Sequence, residues 1–361
     1  MNTCEKQKTL LWLNRICGFS TPKMHKIMAL AQNHDIRKSF AKYRKAIADR
    51  FNAETERIMA DTVSDEGLLN RELKSLDEAK IKIVSLFDDA YSAMLKEIGC
   101  PPLLLYCRGD IGLLTTDCIG IVGSRSPSRY GLEVTRDFAG TLAKCGLTIV
   151  SGLARGIDSE AHRAALDTGG KTIAVLGCGI DRVYPADNAA LYKRIEEEGL
   201  IISEYGPGVA PNNFQFPERN RIISGLSKGV LVTEAGLKSG SLLTANDAIS
   251  QNRDLFTVPS NVTSKRGLGS NLLIREYPHC IVFTPDDIAE RLNIHSRKEQ
   301  VSAMQLDFLE EKLVDALGFA ELNFEELIEL SGLGVSELNA MLTRLELFGI
   351  IKKLENNYYG V

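Results

Sequence analysis

No C-x-x-C pair and no metal-like cluster occurs among the eight cysteines, so the chain carries neither a zinc-site spacing nor a disulfide framework. Most of them, such as Cys118, Cys145, Cys178 and Cys280, sit in or beside apolar runs. They read as free buried thiols of a reducing, cytoplasmic protein. No apolar run approaches the ~20 residues of a membrane span, and the N-terminal stretch lacks the apolar core and small-residue cleavage site of a signal peptide. No membrane is therefore expected. Gly169-Gly170-Lys171-Thr172 invites a phosphate-loop reading, but Ala165 stands where that motif needs its first glycine. These residues also lead into a strand rather than out of one. No G-x-G-x-x-G follows a strand, so the dinucleotide fingerprint is missing too.

The hydrophobic content of 44% and charged content of 25% are those of ordinary soluble domains, and 361 residues suggest two or three of them. The net charge of −4 is unevenly spread. Residues 305–361 carry eleven acidic and four basic groups, so the end of the chain is strongly acidic while residues 1–99 are mildly basic.

Residues 1–99 read as a small N-terminal helical domain: Leu10, Leu11, Leu13 and Ile16 precede Gly18, and Ser20-Thr21-Pro22 starts a second helix. Cys100-Pro101-Pro102 marks a boundary. From Ile119 apolar strand runs alternate with helices: Ile119–Val122, Leu147–Val150, Thr172–Leu176, Leu200–Ile202, Gly229–Val232, Leu255–Val258 and Cys280–Phe283. Repeated β-α units imply an α/β fold, a doubly wound parallel sheet over 100–292. A polar linker is expected at 293–305. Residues 306–361 give three helices and a terminal hairpin, the winged-helix order.

Ligands of such sheets sit beyond the carboxyl ends of the strands, which selects the loops there. In IGIVGSRSPSRYG, from Ile119 to Gly131, a strand runs through a glycine turn into a helix that Ser128 can cap, with Tyr130, Val134, Phe138 and Leu142 as its buried stripe. Backbone N–H groups of such a turn attract anions, and Arg125 adds a planar fork of donors. The blander alternative gives Gly123 a packing role only. Ser151–Asp158 forms a second strand-turn-helix junction with Arg155, and Asp158 can cap the next helix. His162, one turn in, reads as structural. Phe214-Gln215-Phe216-Pro217-Glu218-Arg219-Asn220-Arg221 places two aromatics and two arginines at a helix start, suited to phosphates and unpaired bases. Glu234–Ser241 offers an N–H nest at Gly240 with Ser241 as cap. The candidate binding residues are Gly123, Ser124, Arg125, Arg155, Phe214, Gln215, Arg219, Asn220, Arg221, Ser239, Gly240, Ser241 and Lys265. No nucleophile–base pair assembles, so no catalytic residue, metal or cofactor is expected.

IGIVGSRSPSRYG, IVSGLARGID with Ala161-His162, TIAVLGCGIDRVYP, FPERNRIISGLS and TEAGLKSGSLLTA, in this order, resemble the DNA-processing protein A (DprA/Smf) family. The sequence departs from it at Pro259-Ser260-Asn261 and Tyr277-Pro278. The resemblance implies an extended Rossmann-like core between a helical domain of SAM or helix-hairpin-helix type and a winged helix. It implies a homodimer that binds single-stranded DNA without catalysis and passes the strand to the RecA recombinase during natural transformation. It also gives Arg125 a place in a basic pocket. Two other classes compete: a Rossmann-like nucleotide hydrolase using Glu234, and a protein adaptor acting through the acidic tail.

Overall fold

The computed structural model describes residues 3–30, 36–51, 53–294, 308–319, 322–347, 351–354 and 358–360. It forms two compact units, 1–297 and 298–361. The linker expected at 293–305 lies almost entirely outside the described residues.

In the first unit, helices α1 (Thr3–Ile16), α2 (Thr21–Leu30), α3 (Phe40–Arg50), α4 (Ala53–Thr62) and α5 (Glu66–Glu78) precede the sheet. The sheet contains β1 (Lys82–Ser85), β2 (Leu104–Gly109), β3 (Cys118–Val122), β4 (Thr148–Ser151), β5 (Thr172–Leu176), β6 (Leu200–Ser203), β7 (Gly229–Val232) and β8 (Asp254–Thr257). Its order is β1-β2-β6-β5-β4-β3-β7-β8. The strands from β6 to β8 are parallel, and β1 and β2 form an antiparallel margin. The short helix α6 (Ala93–Lys96) lies between β1 and β2. The crossovers are α7 (Arg129–Lys144), α8 (Ile157–Asp167), α9 (Ala189–Glu198), α10 (Gln215–Leu226) and α11 (Ser241–Ser250), and α12 (Leu268–Glu276) and α13 (Pro285–Arg291) follow β8.

The doubly wound α/β core is as expected, with three differences. β1 interrupts the helical reading of residues 1–99 and pairs with β2, Lys82 opposite Cys107. Cys280–Phe283 is not a strand: Pro278–Cys280 is a single 3₁₀ turn, and only Ile281 bridges to Thr257. A prolyl start and one bridging residue leave no ladder to extend. Along α7 the buried face is Gly131, Thr135, Phe138, Ala139 and Leu142, while Tyr130 is exposed. Leu142 and Phe138 thus hold their expected places and the stripe's first residue turns outward.

Alternate residues of β3 serve opposite faces of the sheet. Ile119 and Ile121 join the core under α7 and α8, and Cys118 and Val122 join the core under α10 and α11. Apolar residues on both faces are what a central parallel strand requires. The N-terminal helices cover the β2–β6–β5 end, where Leu10, Leu13 and Ile27 share a core with Tyr106 and Leu176. Cys17, Cys100, Cys107, Cys118, Cys145, Cys178 and Cys280 are free thiols, and burial pushes those of Cys107 and Cys118 up to about 12. Among the described residues no helix is long and apolar enough to cross a membrane.

The second unit contains α14 (Phe308–Phe319), β9 (Leu322–Asn323), α15 (Phe324–Ser331), α16 (Val335–Leu347), β10 (Lys352–Lys353) and β11 (Tyr358–Gly360). The expected hairpin is β10–β11, and β9 adds a third strand. Asn323 and Glu326 form a reciprocal capping box at the start of α15. Leu313, Leu327, Leu338, Leu342 and Tyr359 close a separate small core.

Candidate nucleic-acid interface

The chain lays β3, β4, β5 and β6 side by side in one direction, then crosses back to place β7 on the other flank of β3. The loops leaving β3 and β7 therefore diverge, and a crevice opens between them, as it does wherever an open α/β sheet reverses its strand order. Here it measures about 570 Å³. Its walls are the β3–α7 turn, the start of α8, one face of α10 and the β7–α11 loop.

The β3–α7 turn needs glycine at 123, where a Cβ would stand 2.6 Å from Ile157 Cγ1 and 2.9 Å from the Glu234 carbonyl oxygen. The packing role thus holds, and Gly123 lines the crevice as well. Three N–H groups of the turn are turned inward. Ser124 N–H donates to the Glu234 carbonyl at 2.7 Å, and Ser126 N–H to Ser124 Oγ at 3.1 Å. Ser128 donates from both N–H and Oγ to the Glu234 carboxylate, at 2.7 Å each. Ser128 Oγ caps α7 as expected, accepting from Gly131 N–H. The buried Glu234 carboxylate thus answers the positive end of α7 from within. The N–H groups of 124, 126 and 128 are therefore engaged within the protein, and the Glu234 carboxylate is engaged by Ser128.

What the turn offers the crevice is the Arg125 side chain. It is exposed, forms no ion pair with a described residue, and lies 5.7 Å from the centre of the Phe216 ring. Phe216 in turn stacks on Tyr184, centroids 5.3 Å apart and planes at 26°. A guanidinium on a half-exposed aromatic pair is a surface for stacking bases and holding phosphates.

Helix α10 sends its residues three ways. Phe216, Pro217, Asn220 and Ile223 face the crevice. Arg219 points down onto the strand ends and is only 4% exposed. It donates to the carbonyls of Gly152, at 2.7 Å, and of Val175. A Cβ on Gly152 would collide with this guanidinium, so that glycine makes the space Arg219 occupies. Burial lowers the arginine's pKa and the nearby Asp158 opposes that, while burial raises Asp158 and Arg219 opposes it. Arg219 touches the crevice only as its floor. Arg221 faces the opposite side. Its Nη2 meets both Glu204 oxygens at 2.6 Å and its Nη1 meets the Cys100 carbonyl at 2.7 Å. Thr21, at the start of α2, donates to the same Glu204 at 2.6 Å. Arg219 and Arg221 therefore do not face the same pocket. Arg221 is held by Glu204 and the Cys100 carbonyl, whereas Arg219 spends Nη1 on two carbonyls and Nε on Asn220 Oδ1 at 3.3 Å while its guanidinium still borders the crevice. Gln215 is buried and accepts from Asn212 N–H, and Phe214, 59% exposed, stands outside the lining.

On the far wall Gly236, Lys238, Ser239, Gly240, Ser241 and Thr244 follow β7. Gly240, not Ser241, occupies the cap position of α11, and Ser239 Oγ accepts from Ser241 N–H at 3.4 Å. Lys238 is exposed and has no ion-pair partner among the described residues. Lys265 is exposed but lies off the crevice wall. Arg155 is not in the main crevice either. It lines a smaller adjoining cavity and pairs with Asp187 at 2.6 Å. Asp158 does not cap α8: Gly156, at φ +79°, holds the cap position, and Asp158 accepts instead from Gly152 N–H at 3.2 Å. His162 is structural, fully buried with Nδ1 2.6 Å from Thr172 Oγ1, and burial pushes its pKa down to about 3.

Gly123, Ser124, Arg125, Asn220, Ser239, Gly240 and Ser241 are thus brought together, with Arg219 beneath them. Asn213, Lys238, Thr244 and Tyr184 were not singled out from sequence, although Lys238 and Tyr184 lie in strand-end loops that were. Among the described residues no three metal-ligating side chains cluster.

A family model described as DNA recombination-mediator protein A matches residues 82–293, and one described as DprA winged helix domain matches residues 297–357. The chain is 42% identical over 226 residues to DNA processing protein DprA of Streptococcus pneumoniae, spanning 63% of this chain and 78% of that one. It is 38% identical over 297 residues to Protein Smf of Escherichia coli, spanning 78% of each. Among solved structures, DNA processing protein A of Streptococcus pneumoniae aligns with TM-score 0.69 and 34% identity over 80% of this chain and 99% of that one. DNA processing protein A of Helicobacter pylori, from a study of its single-stranded DNA binding mode, aligns with TM-score 0.54 and 33% identity over 59% of this chain and 98% of that one.

Proposed function

The chain belongs to the DNA recombination-mediator protein A family, and from that premise we propose that its crevice holds single-stranded DNA for delivery to a recombinase. The observation that carries the reading is Arg125, unpaired among the described residues, over the Phe216–Tyr184 stack at the strand-order reversal, with Lys238 on the opposite wall. Cations on both walls suit a polyanion. Half-exposed aromatics suit bases that are not already stacked in a duplex. Phosphate contacts carry no sequence information, so binding ignores base order. Gly123, Ser124, Asn220, Ser239, Gly240 and Ser241 supply the polar lining.

Membership of the family supports a finer role, which we propose with it. The protein acts in the cytoplasm as a homodimer, protects an incoming strand and loads RecA on it during natural transformation, by binding and without turnover. Fluorescence anisotropy of labelled oligo(dT) tests the binding step. If about four phosphates are neutralised, log affinity falls against log salt with a slope of roughly −3, from ~0.7 per contact. A flat salt response, or equal affinity for blunt duplex, refutes the reading. RecA filament formation on strands precoated with a single-strand-binding protein tests the loading step.

A further inference from the structure

A second, smaller cavity adjoins the crevice on the other side of Phe216, lined by Arg125, Ala154, Arg155, Tyr184, Pro185 and Phe216 among others. We propose that it is a one-nucleotide slot: the bound strand passes over the Tyr184–Phe216 stack, lays its next base on Tyr184 and sets the adjoining phosphate on Arg155. This rests on the reading of the main crevice as a single-strand site.

Three features carry it. The first is size. The slot measures about 80 Å³, and a water needs about 10–15 Å³ measured this way. Room for roughly half a dozen waters is room for one flat base, whereas the main crevice is several times larger. The second is continuity. Arg125, Ala154, Phe216 and Arg219 line both spaces, so the two adjoin at shared side chains. The third is chemistry. Tyr184 is 44% exposed although it is a large aromatic residue, and its ring already stacks on Phe216 with planes at 26°. A base added to it extends an existing stack.

Arg155 completes the slot. Its Nε and Nη2 both meet one oxygen of Asp187, at 2.9 and 2.6 Å, and both side chains of the pair are well exposed. A solvated pair of this kind contributes little to stability. Exchange of the Asp187 carboxylate for a strand phosphate keeps the arginine's hydrogen bonds and frees the carboxylate to water. Asp187 is then a competitor for the site, which a structural ion pair would not be.

The test uses the full chain and an oligo(dT) of about ten nucleotides in which 2-aminopurine replaces one base at a time, because this base loses emission when it stacks. At one position emission is quenched by wild type and by Tyr184→Phe, and is restored in Tyr184→Leu. Arg155→Ala lowers the steepness of the salt dependence by ~0.7, one phosphate, and weakens binding several-fold. Asp187→Asn tightens binding several-fold, because it removes the competitor. Thermal melting accompanies each variant. The slot is overturned if no position distinguishes wild type from Tyr184→Leu, if Arg155→Ala keeps the wild-type salt slope, or if Asp187→Asn weakens binding. Arg125→Ala separates the two levels. If it binds like wild type, the main site itself is wrong; if it binds poorly while the Arg155 and Tyr184 variants bind normally, the slot alone falls.

Discussion

Arg125 and Arg219 lie at one crevice, and replacing each with alanine should produce opposite phenotypes. Arg125 is exposed, and its contact with Phe216 contributes little to folding. Arg125→Ala should stay within about 0.5 kcal/mol of wild-type stability. A charge-assisted hydrogen bond to phosphate contributes about 1.5–3 kcal/mol, so binding should fall roughly ten- to a hundredfold at ~1.4 kcal/mol per decade. Arg219→Ala removes the donor of the Gly152 and Val175 carbonyls and the cation facing buried Asp158. Leaving two buried carbonyl acceptors unpaired costs about 1–3 kcal/mol each, roughly 2–6 kcal/mol together, against a total of about 5–15 kcal/mol. The melting point should fall by roughly 4–24 °C at ~2–4 °C per kcal/mol.

The Arg219 variant also carries a pH signature. Burial raises the Asp158 pKa above its unfolded value, so the folded chain holds that proton more tightly than the unfolded chain. The contribution of this group to stability is therefore most favourable below the unfolded value near ~3.9 and declines as pH climbs through the folded one. Arg219 is the main cation holding that rise in check, and its loss widens the window. The stability gap between Arg219→Ala and wild type should narrow as pH falls from neutral toward the unfolded value near ~3.9, and Asp158→Asn in the same chain should recover part of it. Circular-dichroism melts across this range, beside oligo(dT) titrations well below each melting point, measure both quantities. An Arg219→Ala protein that melts like wild type but no longer binds the strand would refute the buried role and restore Arg219 as a ligand.

Glu234→Gln should lose about 1–2 kcal/mol of stability, because the carboxylate accepts both Ser128 donors at the start of α7; a normal melt combined with loss of nucleotide turnover would reinstate the hydrolase. His162, held near 3 by burial, takes up its proton in the unfolded chain first. Its stabilisation is full above the unfolded value near ~6.5 and is lost as pH falls from there toward 3, by up to ~1.4 kcal/mol per unit. His162→Gln should flatten that acid limb relative to wild type in denaturant melts, and an identical limb would count against it. The second unit has an acidic α15 with Glu325, Glu326 and Glu329, and Arg344 on α16 is paired to Glu310. Residues 298–361 alone should therefore not bind duplex DNA near physiological salt, and micromolar binding there would refute the assignment.

The motif order made the sheet and its crevice legible, because strand-turn-helix junctions are local and glycine marks them. Arg125 could be placed for the same reason. The two arginines of α10 could not be told apart by residue type, yet helical phase separates them: 216, 220 and 223 share one face, and positions two apart, such as 219 and 221, point about 200° from each other. The inward-turned N–H groups at 124, 126 and 128 were invisible because their acceptors belong to Ser124 Oγ and Glu234, the latter far along the chain. β1 was missed because a four-residue margin strand acquires its identity from pairing with β2, a nonlocal event. Cys280–Phe283 misled for the converse reason, having the composition of a strand but a single bridging partner.

The strand-order reversal also sets a timetable for biosynthesis. β3 acquires its second neighbour only when β7 has been made, and roughly a hundred residues separate Val122 from Gly229. At ~5–20 residues per second, translation leaves that interval open for roughly 5–20 s. Throughout it, the most apolar strand of the nascent sheet presents an unpaired margin of the kind that invites pairing with a second chain. The two walls of the crevice belong to opposite sides of this gap. The binding site is thus assembled only after β4, β5 and β6 have been laid down, and β8 alone joins the sheet later.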